Sequence, residues 1–67
     1  MKMIPVSSSA IAAIGYDPGT MRMKIRFVHG ETYDFCRVPA AIFRGLLNAP
    51  SKGHYYNDHI RDRYPCH

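Results

Sequence analysis

The segment from Met21 to Phe27 constrains the fold more than any other part of this chain. Its odd-numbered positions are apolar, and its even-numbered positions carry the cations Arg22, Lys24 and Arg26. Successive side chains of a β-strand point to opposite faces, so a period of two predicts a strand buried on one side. The segment is therefore predicted to be a sheet strand with three positive charges on its solvent-facing side.

A strand over residues 12–16 is predicted to come before it. The intervening residues 17–20 read Asp-Pro-Gly-Thr, a combination typical of turns because Pro fixes φ and Gly tolerates positive φ. A four-residue loop would place Tyr16 opposite Met21 and would keep the apolar side chains of both strands on one face. This hairpin is the predicted start of an antiparallel sheet.

A third strand is expected after Gly30. A two-residue turn would place Ile25 opposite Asp34 and would bury a carboxylate, which is costly. An odd-numbered loop, or a bulge near Gly30, instead places Ile25 opposite Phe35, and glycine is common in bulges. We therefore predict irregular pairing near Gly30.

Two short helices are predicted in the rest of the chain. Val38-Pro39 marks the start of the first, because Pro suits the first helical position, and Ser51 is a candidate N-cap for the second. The apolar positions with helical spacing are Ile42, Phe43, Leu46 and Leu47 in the first helix, and Tyr56, Ile60 and Tyr64 in the second. The predicted fold is therefore α+β, a three-stranded antiparallel meander followed by two short helices packed on one face.

The length and composition indicate one domain over residues 1–67. The chain is 46% hydrophobic and 21% charged, which is ordinary for a globular protein, and its small core is compatible with a monomer or a weak homodimer. The side chains expected in the core are Ile14, Tyr16, Met23, Ile25, Phe27, Tyr33, Phe35, Ile42, Phe43, Leu46 and Ile60.

The net charge of +4 favours an anionic partner. The longest apolar run, Ala10 to Ile14, is far shorter than the ~20 residues of a membrane span, so no membrane association is expected. Cys36 and Cys66 are too few for a disulfide framework, and no export signal precedes them. They are predicted to be reduced and unligated, in a cytoplasmic protein.

The outward cations Arg22, Lys24 and Arg26 form the first candidate binding surface, which we name the cation row. Its expected neighbours on the sheet face are Ala13 and Gly15 on one side, and Thr32, Asp34 and Cys36 on the other. A phosphate backbone that follows the strand could contact the row. The alternative is a solvated face whose charges deter aggregation. The face carries no aromatic residue, so base stacking is not predicted there.

The second candidate surface lies in the segment 52–64, where cations alternate with aromatic and amide side chains, as is usual at single-strand contacts. Because Tyr56, Ile60 and Tyr64 are spaced for the core, the residues left free for binding are Lys52, Tyr55, Arg61 and Arg63. The alternative is core packing surrounded by solvated charge.

Metal binding and catalysis are not predicted. His54 and His59 have a zinc-finger spacing, but the paired cysteines that should precede them are absent. There is no nucleophile motif and no glycine-rich phosphate loop, and the five carboxylates are scattered. The sequence therefore indicates a non-enzyme without a metal or another cofactor.

Several short motifs together resemble the KTSC domain, a family named after the C-terminal extension of some lysyl-tRNA synthetases. The family's central Tyr-x-Tyr appears here as Tyr33-Asp34-Phe35, which removes one hydroxyl. The other motifs that carry the resemblance are Ser8-Ser9-Ala10-Ile11, Ile14-Gly15-Tyr16-Asp17, Val38-Pro39, Leu46-Leu47, Ser51-Lys52-Gly53, Tyr56-Asn57 and Ile60-Arg61.

This resemblance covers residues 4–64 and implies a stand-alone bacterial or phage protein. RNA binding is suggested for the family through its attachment to a tRNA-handling enzyme, and this agrees with the basic charge. The leading hypothesis is a small RNA- or nucleic-acid-binding module. The alternative is a protein-binding adaptor that docks on a larger enzyme.

Overall fold

The computed structural model describes residues 1–66 and contains four strands and two helices. These are β1 (Met3–Pro5), β2 (Ile11–Asp17), β3 (Arg22–Phe27), β4 (Thr32–Phe35), α1 (Ala40–Asn48) and α2 (Lys52–His59). The strands form one antiparallel sheet in the order β1-β2-β3-β4. The α+β class is confirmed, but the expected three strands are four. A three-residue strand is too short for its alternation to be recognised, so β1 was missed.

The hairpin between β2 and β3 has the predicted faces but not the predicted register. Tyr16 pairs with Met23, and Ile14 with Ile25, two residues away from the expected partners. Met21 belongs to the loop instead, with φ of 59°, and its N–H donates to the Asp17 carbonyl over 2.7 Å. Because side chains alternate with a period of two, a shift of two residues changes the partners of the side chains but not their faces.

The hairpin between β3 and β4 has the expected odd-numbered loop. Phe27 N–H donates to the Glu31 carbonyl over 2.9 Å, which leaves residues 28–30 as the connection. Gly30 has φ of 110°, a conformation that glycine adopts without strain. Ile25 pairs with Tyr33 and not with Phe35, so the predicted register is again wrong by two residues.

A β-bulge interrupts β2 near its start. Ile11 pairs with Phe27 and Ala13 pairs with Arg26, so Ala12 has no partner of its own in β3. The extra residue allows Ile11 and Ile14, three positions apart, to face the same core. Both side chains are fully buried. The sequence pattern predicted the burial of Ile14 but missed that of Ile11.

The core lies between the sheet and the two helices. Leu46 of α1 and Ile60 after α2 pack with the sheet residues, together with Val38, which was not predicted. The predicted residues that are buried are Ile14, Met23, Ile25, Phe35, Leu46 and Ile60, and those that are half-buried are Tyr16, Phe27, Ile42 and Phe43. Tyr33 is 44% exposed, so its predicted burial is wrong, because β4 is an edge strand.

The two cysteines form a disulfide, so the prediction of reduced thiols is wrong. Cys36 follows β4 and Cys66 lies near the C-terminus, with a Cα–Cα distance of 4.9 Å. A sequence separation of 30 residues hid this proximity. The chain returns to the sheet after α2, where the Tyr64 carbonyl accepts from the Cys36 N–H over 3.0 Å. Disulfides persist in oxidising compartments and are rare in the cytosol, so this bond does not support the predicted cytoplasmic location. That location stays a prediction.

Candidate functional site

The cation row lies on the face of the sheet opposite the helices. Met23 and Ile25 of β3 point into the core, so the alternate positions Arg22, Lys24 and Arg26 point away from it, and all three are exposed. Four of their predicted neighbours, Ala13, Gly15, Thr32 and Asp34, are confirmed, but the predicted neighbour Cys36 lies beyond the end of β4. Gly15 and Asp34 flank Lys24, while Ala13 and Thr32 flank Arg26. Ala13 and Gly15 of β2 have no side chain long enough to reach over the row, but both residues are buried, and Gly15 lies under the side chains of Met1 and Met3.

The three cations have different electrostatic surroundings. Lys24 Nζ lies 3.9 Å from Asp34 Oδ1, whereas Arg22 is the backbone partner of Asp17 in β2 and makes no salt bridge with it among the described residues. Arg26 has uncharged neighbours in both adjacent strands. Because exposed charges attract only weakly through water, the Asp34 carboxylate reduces the field of Lys24 without neutralising it. Arg26 is therefore the cation of the row that is most available to an anionic ligand.

The carboxyl group of Asp17 is held in its charged form by the turn. The Gly19 N–H donates to its Oδ1 over 2.9 Å. This hydrogen bond, followed by one from the Thr20 side chain, lowers the pKa of Asp17 below its ordinary value. The negative charge opposite Arg22 therefore persists into more acidic solution than for a free aspartate.

The outer sheet face is apolar towards β1. The side chains of Met1 and Met3 lie over Gly15, where a β-carbon would approach Met3 Sδ to 2.7 Å. Gly15 therefore makes room for these methionines. No aromatic ring occupies an outward position of the four described strands, as predicted. The face can offer charge and aliphatic surface, but no stacking platform.

The second candidate surface is largely taken up by packing. Lys52 is half-buried, and its Nζ donates to the Ala49 carbonyl over 3.1 Å. The Tyr55 ring packs against Gly45 of α1 so closely that a β-carbon there would overlap its hydroxyl, and it lies 4.5 Å from the His59 ring. The prediction that Tyr55 is free is therefore wrong. Its ring joins the two helices.

Arg61 and Arg63 are exposed, as predicted, in the turn after α2. Arg61 Nε lies 3.9 Å from Asp62 Oδ2, another weak surface pair. Because α2 packs on the covered face of the sheet, the structure does not join Lys52 and Tyr55 with the cation row into one surface.

Several residues that carry the family resemblance have structural roles. Ser8 Oγ accepts from the Ala10 and Ile11 N–H groups at the start of β2, over 3.1 and 3.2 Å. Ser51 Oγ accepts from the His54 N–H over 3.4 Å and caps α2, as predicted. Such residues fix turns and helix ends, and the motifs therefore explain the fold better than they locate a ligand.

The Tyr16 hydroxyl has a comparable role between the hairpin and α1. It donates to the Val38 carbonyl over 2.6 Å, just before α1 begins. Phe35, which replaces the second tyrosine of the family motif, is 8% exposed and packs edge-on against Tyr56. The missing hydroxyl therefore falls at a position used for packing.

Sequence reasoning missed a hollow of about 400 Å³ between β1 and α1, to which Ile4, Phe43 and Arg44 contribute. The signal for it was weak, because a three-residue strand shows little alternation. Within residues 1–66, no group of three or more His, Cys, Asp or Glu side chains is placed to hold a metal ion. The described helices are also too short to cross a bilayer.

The family model for the KTSC domain matches residues 7–64. A protein of Tsukamurella paurometabola is 44% identical over 62 residues, which cover 92% of each chain. A lysine–tRNA ligase of Nostoc sp. is 32% identical over 62 residues, which are 92% of this chain but only 11% of the ligase. The crystal structure of a KTSC domain protein from Yersinia pestis superimposes with a TM-score of 0.93 at 35% identity, covering 98% of this chain and 93% of that one.

Proposed function

The chain belongs to the KTSC domain family, and on that premise we propose that it is a small non-catalytic module that binds RNA through the outer face of its sheet. The observation that carries the proposal is the cation row. Three exposed cations lie on one strand beside small residues of β2, with nothing bulky from that strand over them. Adjacent residues on one face of a strand are about 6.6 Å apart, comparable to the spacing of successive phosphates in an extended single strand.

The relatives give independent support. Three relatives are named as lysine–tRNA ligases, enzymes whose name includes an RNA substrate, and in each the stretch similar to this chain is 11% of the length. A short segment attached to such an enzyme is well placed to contact RNA. This is an argument by analogy, and the cation row gives it a physical surface.

The chemistry of the face determines the expected mode of binding. Its outward strand positions have no aromatic rings, so the bases would not stack on it, and affinity would come from contacts with phosphates. Such binding tolerates changes of sequence and weakens as the salt concentration rises. For a single strand, each phosphate that the protein neutralises contributes about 0.7 to the slope of log affinity against log salt.

The test is a salt series of fluorescence anisotropy measurements with a labelled single-stranded RNA. One variant replaces Arg22, Lys24 and Arg26 with Gln, and a matched control replaces Lys52, Arg61 and Arg63 with Gln. Both lose three positive charges, so a difference between them reports position and not net charge. We expect the first variant to have the flatter salt dependence and the control to resemble the parent.

The opposite ranking would move the RNA surface to the second candidate surface in the segment 52–64. No salt-dependent binding by the parent would overturn the RNA proposal. The second candidate function, a protein-binding adaptor, would then take its place, and the hollow between β1 and α1 is the observation that favours it.

A further inference from the structure

The helix-bearing side of the molecule has a concave surface that the proposed RNA contacts do not use. This hollow of about 400 Å³ lies between β1 and α1. Its apolar lining includes Ile4 on one side and Tyr16, Ala40 and Phe43 on the other, and the exposed residues Lys2 and Arg44 stand at its rim. Its volume is within the range of about 300 to 1,000 Å³ that is usual for ligand sites.

Ile4 is the apolar side chain that the fold leaves uncovered here. It pairs with the buried Ile14 and so points to the side of the sheet that carries the helices, yet it is 39% exposed. It is also absent from the hydrophobic core cluster that contains its partner Ile14. Because β1 is an edge strand, Ile4 is left at the margin of that core.

The opposite wall of the hollow is rigid. The rings of Tyr16 and Phe43 stack with centroids 4.7 Å apart and an angle of 11° between their planes. The Tyr16 ring is held further by its hydrogen bond to the Val38 carbonyl. A preformed apolar wall lowers the entropic cost of binding, because fewer side chains must be ordered.

The charges around the hollow have one sign. Lys2 and Arg44 are its charged lining residues, and no carboxylate lines it. Among the described residues neither cation takes part in a salt bridge. This differs from the cation row, where Lys24 and Arg22 have carboxylate neighbours. The hollow is therefore complementary to an apolar group flanked by negative charge.

The backbone at this edge limits how a partner could bind. Pro5 has no N–H, and a proline on an edge strand discourages the pairing of a further strand. Recognition must then come from side chains that enter the hollow and from charges at its rim. The apolar lining suits a hydrocarbon side chain better than the polar edges of a nucleobase.

We propose that this hollow is a docking site for a peptide segment of a partner protein, in which one large apolar side chain enters the hollow between flanking carboxylates. The apolar side chain supplies buried area, as anchors in protein interfaces do. The carboxylates face Lys2 and Arg44 and set the preference for an acidic segment. The proposal does not depend on RNA binding, since the cation row lies on the other side of the sheet.

The test uses amide NMR spectra of the whole chain titrated with a short peptide that has one phenylalanine between two pairs of glutamates. The matched control peptide has lysines in place of the glutamates. We expect shifts confined to the amides around Ile4, Tyr16, Phe43 and Arg44. Two exposed ion pairs should make the acidic peptide bind about tenfold more tightly than the basic one.

Two variants with the same change of charge test the position. Ile4→Asp places a carboxylate in the hollow, whereas Val28→Asp changes a 55% exposed residue in the loop between β3 and β4. Ile4→Asp should abolish the shifts, and Val28→Asp should leave them unchanged. If Ile4→Asp does not fold, Arg44→Glu on the exposed side of α1 should reverse the preference between the two peptides.

Equal binding of both peptides, shifts centred elsewhere, or no shifts at millimolar peptide would overturn the proposal. Shifts at the same amides on adding RNA alone would also overturn it, because RNA would then occupy the hollow. Shifts on concentrating the protein alone would do the same, because a second copy of the chain would be the occupant. The variant with Gln at positions 22, 24 and 26 should bind the acidic peptide as the parent does. Loss of RNA binding and loss of peptide binding are thus separate results.

Discussion

Strand β3 and the segment from Lys52 to Tyr64 have similar side chains but use them differently. Both alternate cations with apolar or aromatic groups. In β3 the backbone separates the two kinds, because even positions face solvent and odd positions face the core. In the C-terminal segment, Lys52 donates a hydrogen bond to a backbone carbonyl, and the Tyr55 ring packs against Gly45. Regular periodicity therefore predicts which side chains are free, whereas composition alone does not.

The largest effect should separate the two sides of β3 itself. Ile25→Ala removes a fully buried side chain from the core, and the free energy of unfolding should fall by about 2 to 5 kcal/mol. Lys24→Ala, the adjacent outward position, should change it by less than about 0.5 kcal/mol. Urea denaturation measures both. Similar losses in the two variants would mean that the strand does not separate core from solvent as described.

The next effect tests what holds the C-terminal segment. Cys36→Ser removes a disulfide that closes 30 residues, including both helices, and should lower the free energy of unfolding by about 2 to 4 kcal/mol. A reducing agent should produce a similar loss in the parent and none in the variant. A parent whose stability is unaffected by reduction would contradict this account of the segment.

A smaller loss should follow from Tyr55→Ala. Because the ring packs between the helices, we expect the free energy of unfolding to fall by about 1 to 2 kcal/mol while the salt slope of RNA binding stays unchanged. Tyr55→Phe keeps the ring and is the control, with stability close to that of the parent. Unchanged stability in Tyr55→Ala, together with weaker RNA binding, would restore the tyrosine to a binding role.

Within the cation row, Arg26 should matter more than Lys24. Arg26→Gln should flatten the salt slope of RNA binding by about 0.7, the value for one neutralised phosphate. Lys24→Gln should have a smaller effect, because Asp34 already lies 3.9 Å from this lysine. Asp34→Asn should in turn strengthen binding slightly by removing a competing charge. Anisotropy titrations rank the three variants, and equal effects of the two Gln variants would show that the carboxylate is immaterial.

The smallest effect concerns the turn that leads into the row. The pKa of Asp17 is lower in the folded protein than its ordinary value of 3.8, so its charged form stabilises the fold above that value. This contribution should disappear as the pH falls through the lowered pKa. Asp17→Asn should therefore be less stable than the parent at neutral pH and equal to it in strong acid. Thermal unfolding across an acid series would measure the difference.

The sequence was sufficient for the faces of the strands but not for their partners. A shift of two residues leaves the alternating pattern unchanged, so Tyr16 could be assigned to the core without its pairing to Met23 being known. The helix starts were predictable because Pro39 and Ser51 act locally. The disulfide between Cys36 and Cys66 and the packing of Tyr55 against Gly45 bring together residues that become close only after the chain folds back. Local patterns contain no information about such proximities.

The bulge in β2 means that one residue could be deleted there without turning the rest of the strand over. A deletion inside a strand normally turns every later side chain over, exchanging buried and exposed positions. Here Ala12 is the extra residue of the bulge and has no partner in β3. If one alanine of the Ala12-Ala13 pair were deleted, Ile11 and Ile14 would be two positions apart in a regular strand and would still face the core. Removing Gly15 has no such compensation. The length of β2 could thus change by one residue in evolution without exchanging its buried and exposed side chains.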